Sequence, residues 1–340
     1  MTGGKGAGRA PLVHGGDLAD AARLAGAGSG EDWLDLSTGI NPTAYPMPDI
    51  PAAVWQRLPG AADLAAMRSA ACAFYGVPAQ AALMAAPGTE SLINTLPLLF
   101  GPRTVQIVAP TYGSHAPAWA RAGHKVHEIA HISQADPAAV SILVNPNNPD
   151  GRIVGASDVA TFVSSVRGAG GLVVVDEAYG EVAPDVSAVH LCAGEGLIVL
   201  RSFGKFFGLA GLRLGFAIGA AGMIGRLSAL LGDWPVSGPA ATIGATALAD
   251  LSWHSDMRAT LAKRARAARD LCARNGLKIA GGTDLFLLIE AERAGDLFEH
   301  LLARRIYVRI FPNRDNWLRF GIPAGDAALA RLDAALSNWR

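Results

Sequence analysis

The alternation of short apolar runs with helix-length stretches, which begins near residue 80, is the feature that most restricts how this chain can fold. Glycine, proline or asparagine stands at each junction, a pattern typical of α/β proteins. The runs at 142–144 and 173–175 contain no polar residue, so we expect strands buried on both faces, as in a parallel sheet. The pattern predicts seven strands in this region, at residues 81–85, 104–109, 125–129, 141–145, 172–175, 198–200 and 213–218.

The pattern changes after Pro235, and this change predicts a second, smaller domain. Upstream, helices predicted at 61–75, 90–100 and 156–166 pack on the sheet or cross between its strands. Downstream, two helices precede a mixture of strands and helices, predicted at 240–251, 254–275, 284–289, 294–304, 306–309, 317–320 and 326–339. We therefore expect an N-terminal arm and part of the small domain in 1–38, a large domain in 39–235, and an interdomain helix with the small α+β domain in 236–340.

The composition excludes several classes of protein. The 340 residues carry 29 basic and 29 acidic side chains, and this balance argues against a nucleic-acid-binding protein. Hydrophobic residues make up 51% of the chain, which argues against disorder. Cys72, Cys192 and Cys272 are far apart, so we expect neither a disulfide framework nor a metal site. No segment reads as an export signal or a membrane helix, and we predict a cytoplasmic protein.

Polar residues that follow apolar strands are the first candidates for chemistry, because ligands of open α/β sheets bind beyond the carboxyl ends of the strands. Asp176 ends the run at 173–175, and a buried carboxylate of this kind should face a cation. Asn147 and Asn148 lie in the turn NPNNPDG, and Lys205 lies among aromatic and glycine residues. With a nearby tyrosine, these groups match what pyridoxal phosphate requires: a nucleophilic amine, a carboxylate for the ring nitrogen and donors for the phenolic oxygen.

A phosphate site is predicted where the residues APGTE, at 86–90, end a strand and begin a helix. Gly88 permits a tight turn there. The first helical amides, at Thr89 and Glu90, can hold an anion together with the Thr89 hydroxyl. Arg213, within GLRLG, is expected to add a charge-assisted contact to the same phosphate.

These motifs resemble those of the fold-type I pyridoxal-phosphate enzymes, the aspartate-aminotransferase-like superfamily, over nearly the whole chain. NPNNPDG is similar to the family's Asn-Pro-Asn-Asn-Pro-Thr-Gly, in which the asparagine before the second proline, here Asn148, bonds the phenolic oxygen of the cofactor. The resemblance implies three catalytic residues. Lys205 would form the Schiff base, Asp176 would pair with the pyridine nitrogen, and Tyr179 would bond the same oxygen as Asn148.

The same resemblance implies the remaining contacts to the cofactor and one contact to the substrate. Ser202 and Arg213 would bind the phosphate, Tyr112 would stack on the ring, and Arg319 would bind the substrate carboxylate. The resemblance implies a large domain with a mostly parallel seven-stranded sheet and a smaller α+β domain. The expected cofactor-binding residues are Gly88, Thr89, Glu90, Tyr112, Asn148, Asp176, Tyr179, Ser202, Lys205 and Arg213.

Two positions depart from the family pattern. Gly204 stands where many relatives have a second serine, in Ser-x-Ser-Lys, so one phosphate hydroxyl is absent. Leu58 stands where many aminotransferases send a tyrosine across the dimer to the phosphate. Both departures fit a narrower branch, the threonine-phosphate decarboxylases of cobalamin synthesis, which also resemble histidinol-phosphate aminotransferases.

Two N-terminal segments are similar to that branch: HGGD at 14–17 to its His-Gly-Gly-Asn/Asp start, and DLSTGINP at 35–42 to its substrate loop. We therefore expect the substrate to be bound by His14, Gly39, Asn41, Asn148 and Arg319. The resemblance implies decarboxylation of L-threonine O-3-phosphate to (R)-1-amino-2-propanol O-2-phosphate. It also implies a homodimer with active sites near the subunit interface.

Three alternatives stay open at this point. An aminotransferase of the histidinol-phosphate type would use the same residues but remove the α-hydrogen. A regulator that binds the cofactor without turnover would usually carry a DNA-binding domain, for which this chain has neither room nor charge. A purely structural scaffold would bind no cofactor.

Overall fold

The computed structural model describes residues 15–26 and 32–339, so His14 lies outside the described residues. Two compact units are present: unit 2 holds 40–263 and 282–285, and unit 1 holds the described residues up to Gly39 together with 264–281 and 286–339. The helices are α1 Leu18–Ala25, α2 Ala52–Gln56, α3 Ala61–Tyr75, α4 Thr89–Thr95, α5 His115–Arg121, α6 Ala156–Ala169, α7 Phe203–Phe206, α8 Ala221–Leu231, α9 Gly238–Ala249, α10 Leu251–Arg274, α11 Ala294–Leu302 and α12 Asp326–Ser337. The strands are β1 Leu34–Leu36, β2 Ala81–Ala86, β3 Thr104–Val108, β4 Lys125–Ile129, β5 Val140–Val144, β6 Leu172–Asp176, β7 Leu197–Ser202, β8 Gly215–Ala220, β9 Lys278–Thr283, β10 Phe286–Glu290, β11 Ile306–Phe311 and β12 Arg314–Gly321.

Unit 2 is built on a seven-stranded sheet with the order β2-β8-β7-β6-β5-β3-β4. The strands from β7 to β4 pair in parallel, whereas β8 runs antiparallel to both β7 and β2. Every residue of β5, β6 and β7 is buried, because helices cover both faces of a parallel sheet. The predicted fold class is therefore confirmed.

Two boundaries in unit 2 differ from the pattern-based prediction for local reasons. The helix predicted at 90–100 becomes a 3-10 turn from Leu96, where Pro97 has no N–H to continue an α-helix. The strand predicted from residue 213 begins at Gly215, because Arg213 has a left-handed backbone with φ +53° and ends the preceding turn. By contrast, α3 spans the predicted 61–75.

Unit 1 contains a five-stranded sheet with the order β1-β11-β12-β10-β9. β1 pairs in parallel with β11, and β12 pairs antiparallel with both β11 and β10. Its core packs α11 and α12 on the sheet through residues such as Leu297, Leu301 and Leu332. The division between units falls inside α10, between Lys263 and Arg264, whereas the sequence pattern placed a boundary at 235/236.

Within the ranges that the structure describes, no helix combines the length and the apolar character needed to cross a bilayer.

Candidate active site

The cofactor residues predicted in unit 2 follow strands that end at one edge of the sheet. β3, β5, β6 and β7 are parallel, and β2 runs in the same direction as β7 because both are antiparallel to β8. Asp176 pairs with Val144 on one side and Leu200 on the other, so it lies level with the ends of β5 and β7. This edge is where ligands bind in open α/β sheets.

Asp176 is a buried carboxylate whose two oxygens are both engaged. It is 2% exposed, its Oδ1 accepts a hydrogen bond from the Ala178 amide at 3.0 Å, and its Oδ2 lies 2.9 Å from Nε2 of His115. The side chain that contacts this carboxylate is thus a histidine at the start of α5. Sequence reasoning missed His115, although it lies only three residues after Tyr112.

Tyr112 links this carboxylate to the turn that follows β2. Its ring meets the His115 ring edge-on with centroids 6.2 Å apart, and its hydroxyl donates to Glu90 Oε2 at 3.1 Å. Burial raises the pKa of Tyr112 to about 12, so the hydroxyl remains protonated. The Glu90 carboxylate also accepts from Asn94, so the side chain of Glu90 faces protein donors and only its backbone amide is suited to a phosphate.

The predicted phosphate residues converge on one backbone surface. Gly88 has φ +81°, and a Cβ at this position would lie 2.6 Å from Arg213 Nη2, so the guanidinium lies directly against the turn. A Cβ on Gly215 would lie 2.6 Å from the Thr89 amide, and Gly215 pairs with Ser202 across β7 and β8. The two glycines therefore let the Arg213 guanidinium approach the turn at Gly88 and let β8 pack against the start of α4, next to Ser202. A cation, backbone N–H groups and two residues with hydroxyl groups in one neighbourhood are groups that suit a phosphate.

Lys205 lies on α7, a single turn that begins directly after Ser202. Its neighbours Phe203 and Phe206 are fully buried, and Lys205 itself is half-buried. Gly204 is required by close packing, because a Cβ there would lie 2.8 Å from the Cα of Ala210. The absence of the family's second serine is therefore built into the backbone of this turn.

The two central asparagines of the turn after β5 differ in how deeply they are buried. Asn147 is 1% exposed: its Oδ1 accepts from Thr111 at 2.6 Å and its Nδ2 donates to the Pro110 carbonyl at 2.9 Å. Asn148 is half-buried at the same edge. Tyr179 is buried three residues after Asp176.

Three segments predicted to bind substrate meet within unit 1. The Gly16 amide donates to Ser37 Oγ at 2.8 Å, and a Cβ on Gly15 would lie 2.4 Å from the Ser37 carbonyl. The same carbonyl accepts from Arg319 Nη2 at 3.0 Å. The start of the described chain, the loop that ends at Gly39 and the arginine of β12 therefore form one cluster.

Arg309 is a second cation beside this cluster that sequence reasoning missed. It pairs directly with Arg319 across β11 and β12, so the two side chains point to the same face of the sheet. The Arg319 guanidinium lies 5.3 Å from the Phe286 ring centroid, and that of Arg309 lies 5.7 Å from the Phe311 centroid.

Asn41, which was expected to bind substrate, is buried in unit 2 with both of its side-chain polar atoms facing backbone. Nδ2 donates to the Phe206 carbonyl at 2.8 Å, and Oδ1 accepts from the Thr43 amide at 2.9 Å. The sequence placed Asn41 in a substrate loop; the structure places it against the turn that carries Lys205.

The aminotransferase class I and II family model matches residues 54–332. Two curated threonine-phosphate decarboxylases, from Pseudomonas aeruginosa and a Sinorhizobium species, are 40% and 41% identical, each over 97% of this chain and 98% of the relative. A histidinol-phosphate aminotransferase from Desulfitobacterium hafniense is 27% identical over 83% of this chain and 84% of its own length.

Among solved structures, the histidinol-phosphate aminotransferase of Sinorhizobium meliloti in complex with pyridoxal-5'-phosphate has a TM-score of 0.78 at 20% identity, covering 97% of this chain and 95% of that one. The L-threonine-O-3-phosphate decarboxylase of Porphyromonas gingivalis has a TM-score of 0.72 at 18% identity, covering 89% and 98%. These likenesses support the fold. The chain therefore belongs to the aminotransferase class I and II family, within the fold-type I pyridoxal-phosphate enzymes that its motifs resemble.

Proposed function

We propose that this protein is a pyridoxal-phosphate-dependent decarboxylase that converts L-threonine O-3-phosphate to (R)-1-amino-2-propanol O-2-phosphate in cobalamin biosynthesis. One observation carries the choice of reaction. Identity to two threonine-phosphate decarboxylases is 40–41% over nearly the whole chain, whereas histidinol-phosphate aminotransferases that match over comparable lengths are 26–29% identical. The arrangement of the unit 2 residues supports the cofactor.

The residues at the sheet edge fit pyridoxal phosphate. Thr89, Ser202 and Arg213 would hold its phosphate, and the lack of a Cβ at Gly88 allows the Arg213 guanidinium to approach the turn. Asp176, which His115 contacts at 2.9 Å, would meet the ring nitrogen and favour its protonated form. When bound, the cofactor supplies an electron sink for the pair left on the substrate α-carbon.

The other side chains at this edge fix the ring and handle protons. Tyr112 stacks on the ring, and its bond to Glu90 sets the position of its own ring. Asn148 and Tyr179 bond the phenolic oxygen. Lys205 would hold the cofactor covalently until the substrate amine takes its place, and its freed amine would then supply the proton for the α-carbon.

The two arginines of unit 1 bind the anionic groups of the substrate. Arg319 would bind the substrate carboxylate, and the orientation of that carboxylate would decide between loss of carbon dioxide and loss of the α-hydrogen. Arg309, with His14 and the backbone near Gly39, binds the phosphate. The pairing of Arg309 with Arg319 across β11 and β12 supports this proposal, because it sets both side chains on one face of the sheet.

The residues of this second anion site are tested by Arg309→Met. The variant should raise KM for threonine phosphate by about tenfold or more, because a charge-assisted contact is lost. Arg314→Met is the matched control, since Arg314 is exposed on the same hairpin and covers the Trp317 ring. An unchanged KM in Arg309→Met would remove Arg309 from the substrate site.

A homodimer in the cytoplasm completes the proposal. Unit 2 exposes several large apolar side chains, and contact with a second copy of the chain would remove such side chains from water: Met47, Trp55, Leu58, Trp234 and Leu251. Trp55 is 68% exposed and Leu251 is 70% exposed. The three cysteines are free thiols, which suits a reducing compartment. Sedimentation of the purified protein tests the dimer.

The reaction is tested by incubating the purified enzyme and pyridoxal phosphate with L-threonine O-3-phosphate and no keto acid. Steady release of carbon dioxide with formation of aminopropanol phosphate is the expected result. Lys205→Ala is the control, and it should lose both the activity and the visible absorbance of the lysine-bound cofactor. Turnover that depends on a keto acid, with no carbon dioxide released, would make the protein an aminotransferase instead.

A further inference from the structure

The turn that carries Lys205 is held by hydrogen bonds from a segment remote in sequence. α7 is one turn long, and the last carbonyls of a helix have no partner within it. Three consecutive carbonyls here, those of Lys205, Phe206 and Phe207, accept hydrogen bonds from the segment 41–45. The donors are Asn41 N at 2.9 Å, Asn41 Nδ2 at 2.8 Å and Tyr45 N at 2.8 Å.

Asn41 supplies two of these three donors, and its side chain has no polar atom turned elsewhere. It is 2% exposed, and its Oδ1 accepts from the Thr43 amide, which fixes the rotation of the amide group. A residue that binds substrate must present a polar atom to it. The Asn41 side chain presents its oxygen and its nitrogen to backbone instead.

The segment also makes direct backbone contact with the end of α7. Gly208 has φ +65°, and a Cβ there would lie 2.7 Å from the Asn41 carbonyl oxygen and 2.8 Å from the Ala44 Cα. The Phe207 ring meets the Tyr45 ring edge-on and stacks on Trp253, with centroids 6.3 Å and 5.5 Å apart. A small displacement of the segment 41–45 would therefore displace the backbone at Phe207 and Gly208, and the reverse also holds.

We infer that Asn41 is a positioning residue that fixes the backbone carrying Lys205, and that it is not a ligand of the substrate. This inference rests on the proposed function in one respect, that Lys205 is the nucleophile. Its physical basis is that covalent attachment demands a defined approach of the amine, and displacement by about 1 Å can cost two orders of magnitude in rate. The hydrogen bond from Nδ2 to the Phe206 carbonyl limits that displacement.

Asn41→Asp tests this role, because aspartate has nearly the same shape as asparagine but cannot donate a hydrogen bond when ionised. The variant keeps the acceptor for the Thr43 amide but sets a carboxylate oxygen against the Phe206 carbonyl, so the bond becomes a repulsion. Asn338→Asp is the matched control, because the exposed Asn338 Nδ2 also donates to a nearby carbonyl, that of Ala334, at 2.7 Å. Asn41→Ala, which removes the bond without adding charge, serves if the aspartate variant does not fold.

The first readout is the rate at which apoenzyme attaches pyridoxal phosphate to Lys205, followed by visible absorbance and by the borohydride-reduced peptide. Asn41→Asp should slow attachment by about tenfold or more, and Asn41→Ala by a smaller factor, while Asn338→Asp matches the wild type. The second readout is the split between kcat and KM for threonine phosphate. We expect kcat to fall in proportion to attachment and KM to stay within about twofold.

A raised KM with unchanged kcat and normal attachment in both Asn41 variants would make Asn41 a substrate ligand and overturn the inference. Normal attachment with wild-type kinetics would overturn it as well. Attachment is measured with the cofactor alone. A wild type that binds the cofactor but releases no carbon dioxide would therefore refute the proposed reaction and leave the test of Asn41 intact.

Discussion

Replacing Glu177 should destabilise the protein far more than replacing Glu181, although both carboxylates pair with the same arginine. Arg201 contacts Glu177 through Nη1 and Glu181 through Nη2, the second at 3.0 Å, and all three residues are less than 5% exposed. Glu177 directly follows Asp176, and Arg201 directly precedes Ser202. The network therefore joins the ends of β6 and β7, where the cofactor residues lie.

The magnitude follows from the bonds that each carboxylate accepts. Glu177 Oε1 accepts from the Ala188 amide at 2.6 Å, and Oε2 accepts from Ser187 at 2.7 Å and from Arg201. In Glu177→Gln the new NH2 group faces an N–H donor in either orientation, so at least one buried hydrogen bond is replaced by a contact between two donors. Breaking a buried pair in this way costs about 3–5 kcal/mol of the free energy of unfolding.

Glu181→Gln should change the free energy of unfolding only slightly, because Glu181 accepts fewer hydrogen bonds than Glu177. Glu181 Oε1 accepts from Arg201, and an amide oxygen can do the same, while Oε2 has no hydrogen-bond partner among the described residues. Burial also raises the pKa of Glu181, so the folded state disfavours its ionised form. The neutral amide escapes that penalty, and we expect a loss below about 1 kcal/mol.

Urea titration followed by circular dichroism measures both variants. With a slope of about 3 kcal/mol per molar, Glu177→Gln should lower the midpoint by about 1 M or more. The folded-state pKa of Glu181 exceeds its unfolded value, so wild-type stability from this group falls as pH rises from about 4.5 through the folded pKa. Glu181→Gln should therefore gain on the wild type as pH rises. Equal costs for the two variants, or no such gain, would refute the reasoning.

Three further predictions concern single side chains. Gly204→Ser should lower the free energy of unfolding by about 1–3 kcal/mol, because the added atoms meet backbone at 2.8 Å, whereas Gly211→Ser, in open space, should stay within about 0.5 kcal/mol in the same urea titration. His254→Gln should flatten the loss of stability below pH 6.5, measured by unfolding at several pH values, because burial lowers the pKa of His254 and protonation therefore favours the unfolded chain. Tyr112→Phe should weaken cofactor binding two- to tenfold, because the ring loses its hydrogen bond to Glu90. The pH dependence of cofactor binding should stay unchanged up to about pH 10, because the Tyr112 hydroxyl remains protonated there, and fluorescence titration measures both quantities.

The strands buried on both faces were predictable, because every position in them requires an apolar residue and the sequence therefore shows an uninterrupted apolar run. The run at 172–175 became β6, which extends one residue further to Asp176. Two strands escaped prediction. β1 is three residues long and gains its partner only through pairing with β11, and β9 contains two glycines at the edge of its sheet.

In the candidate site, too, the residues next to apolar runs could be predicted from the sequence, and the residues brought in by distant parts of the chain could not. Asp176, Lys205 and the Gly88 turn are marked by the point where an apolar run stops, which the sequence displays directly. His115 and Arg309 become visible only through pairing across the fold. The register that sets Arg309 opposite Arg319 is followed by an irregularity at Ile310 and Phe311, which no reading of alternation supplies.

The tight approach at Gly204 also limits which side chains this turn can carry. The atoms that a side chain would meet include the Cα and amide nitrogen of Ala210, so trimming the neighbouring side chain would not open space. A serine at this position would therefore require the backbone around Ala210 to shift, so the side chain and the path of the loop would have to change together.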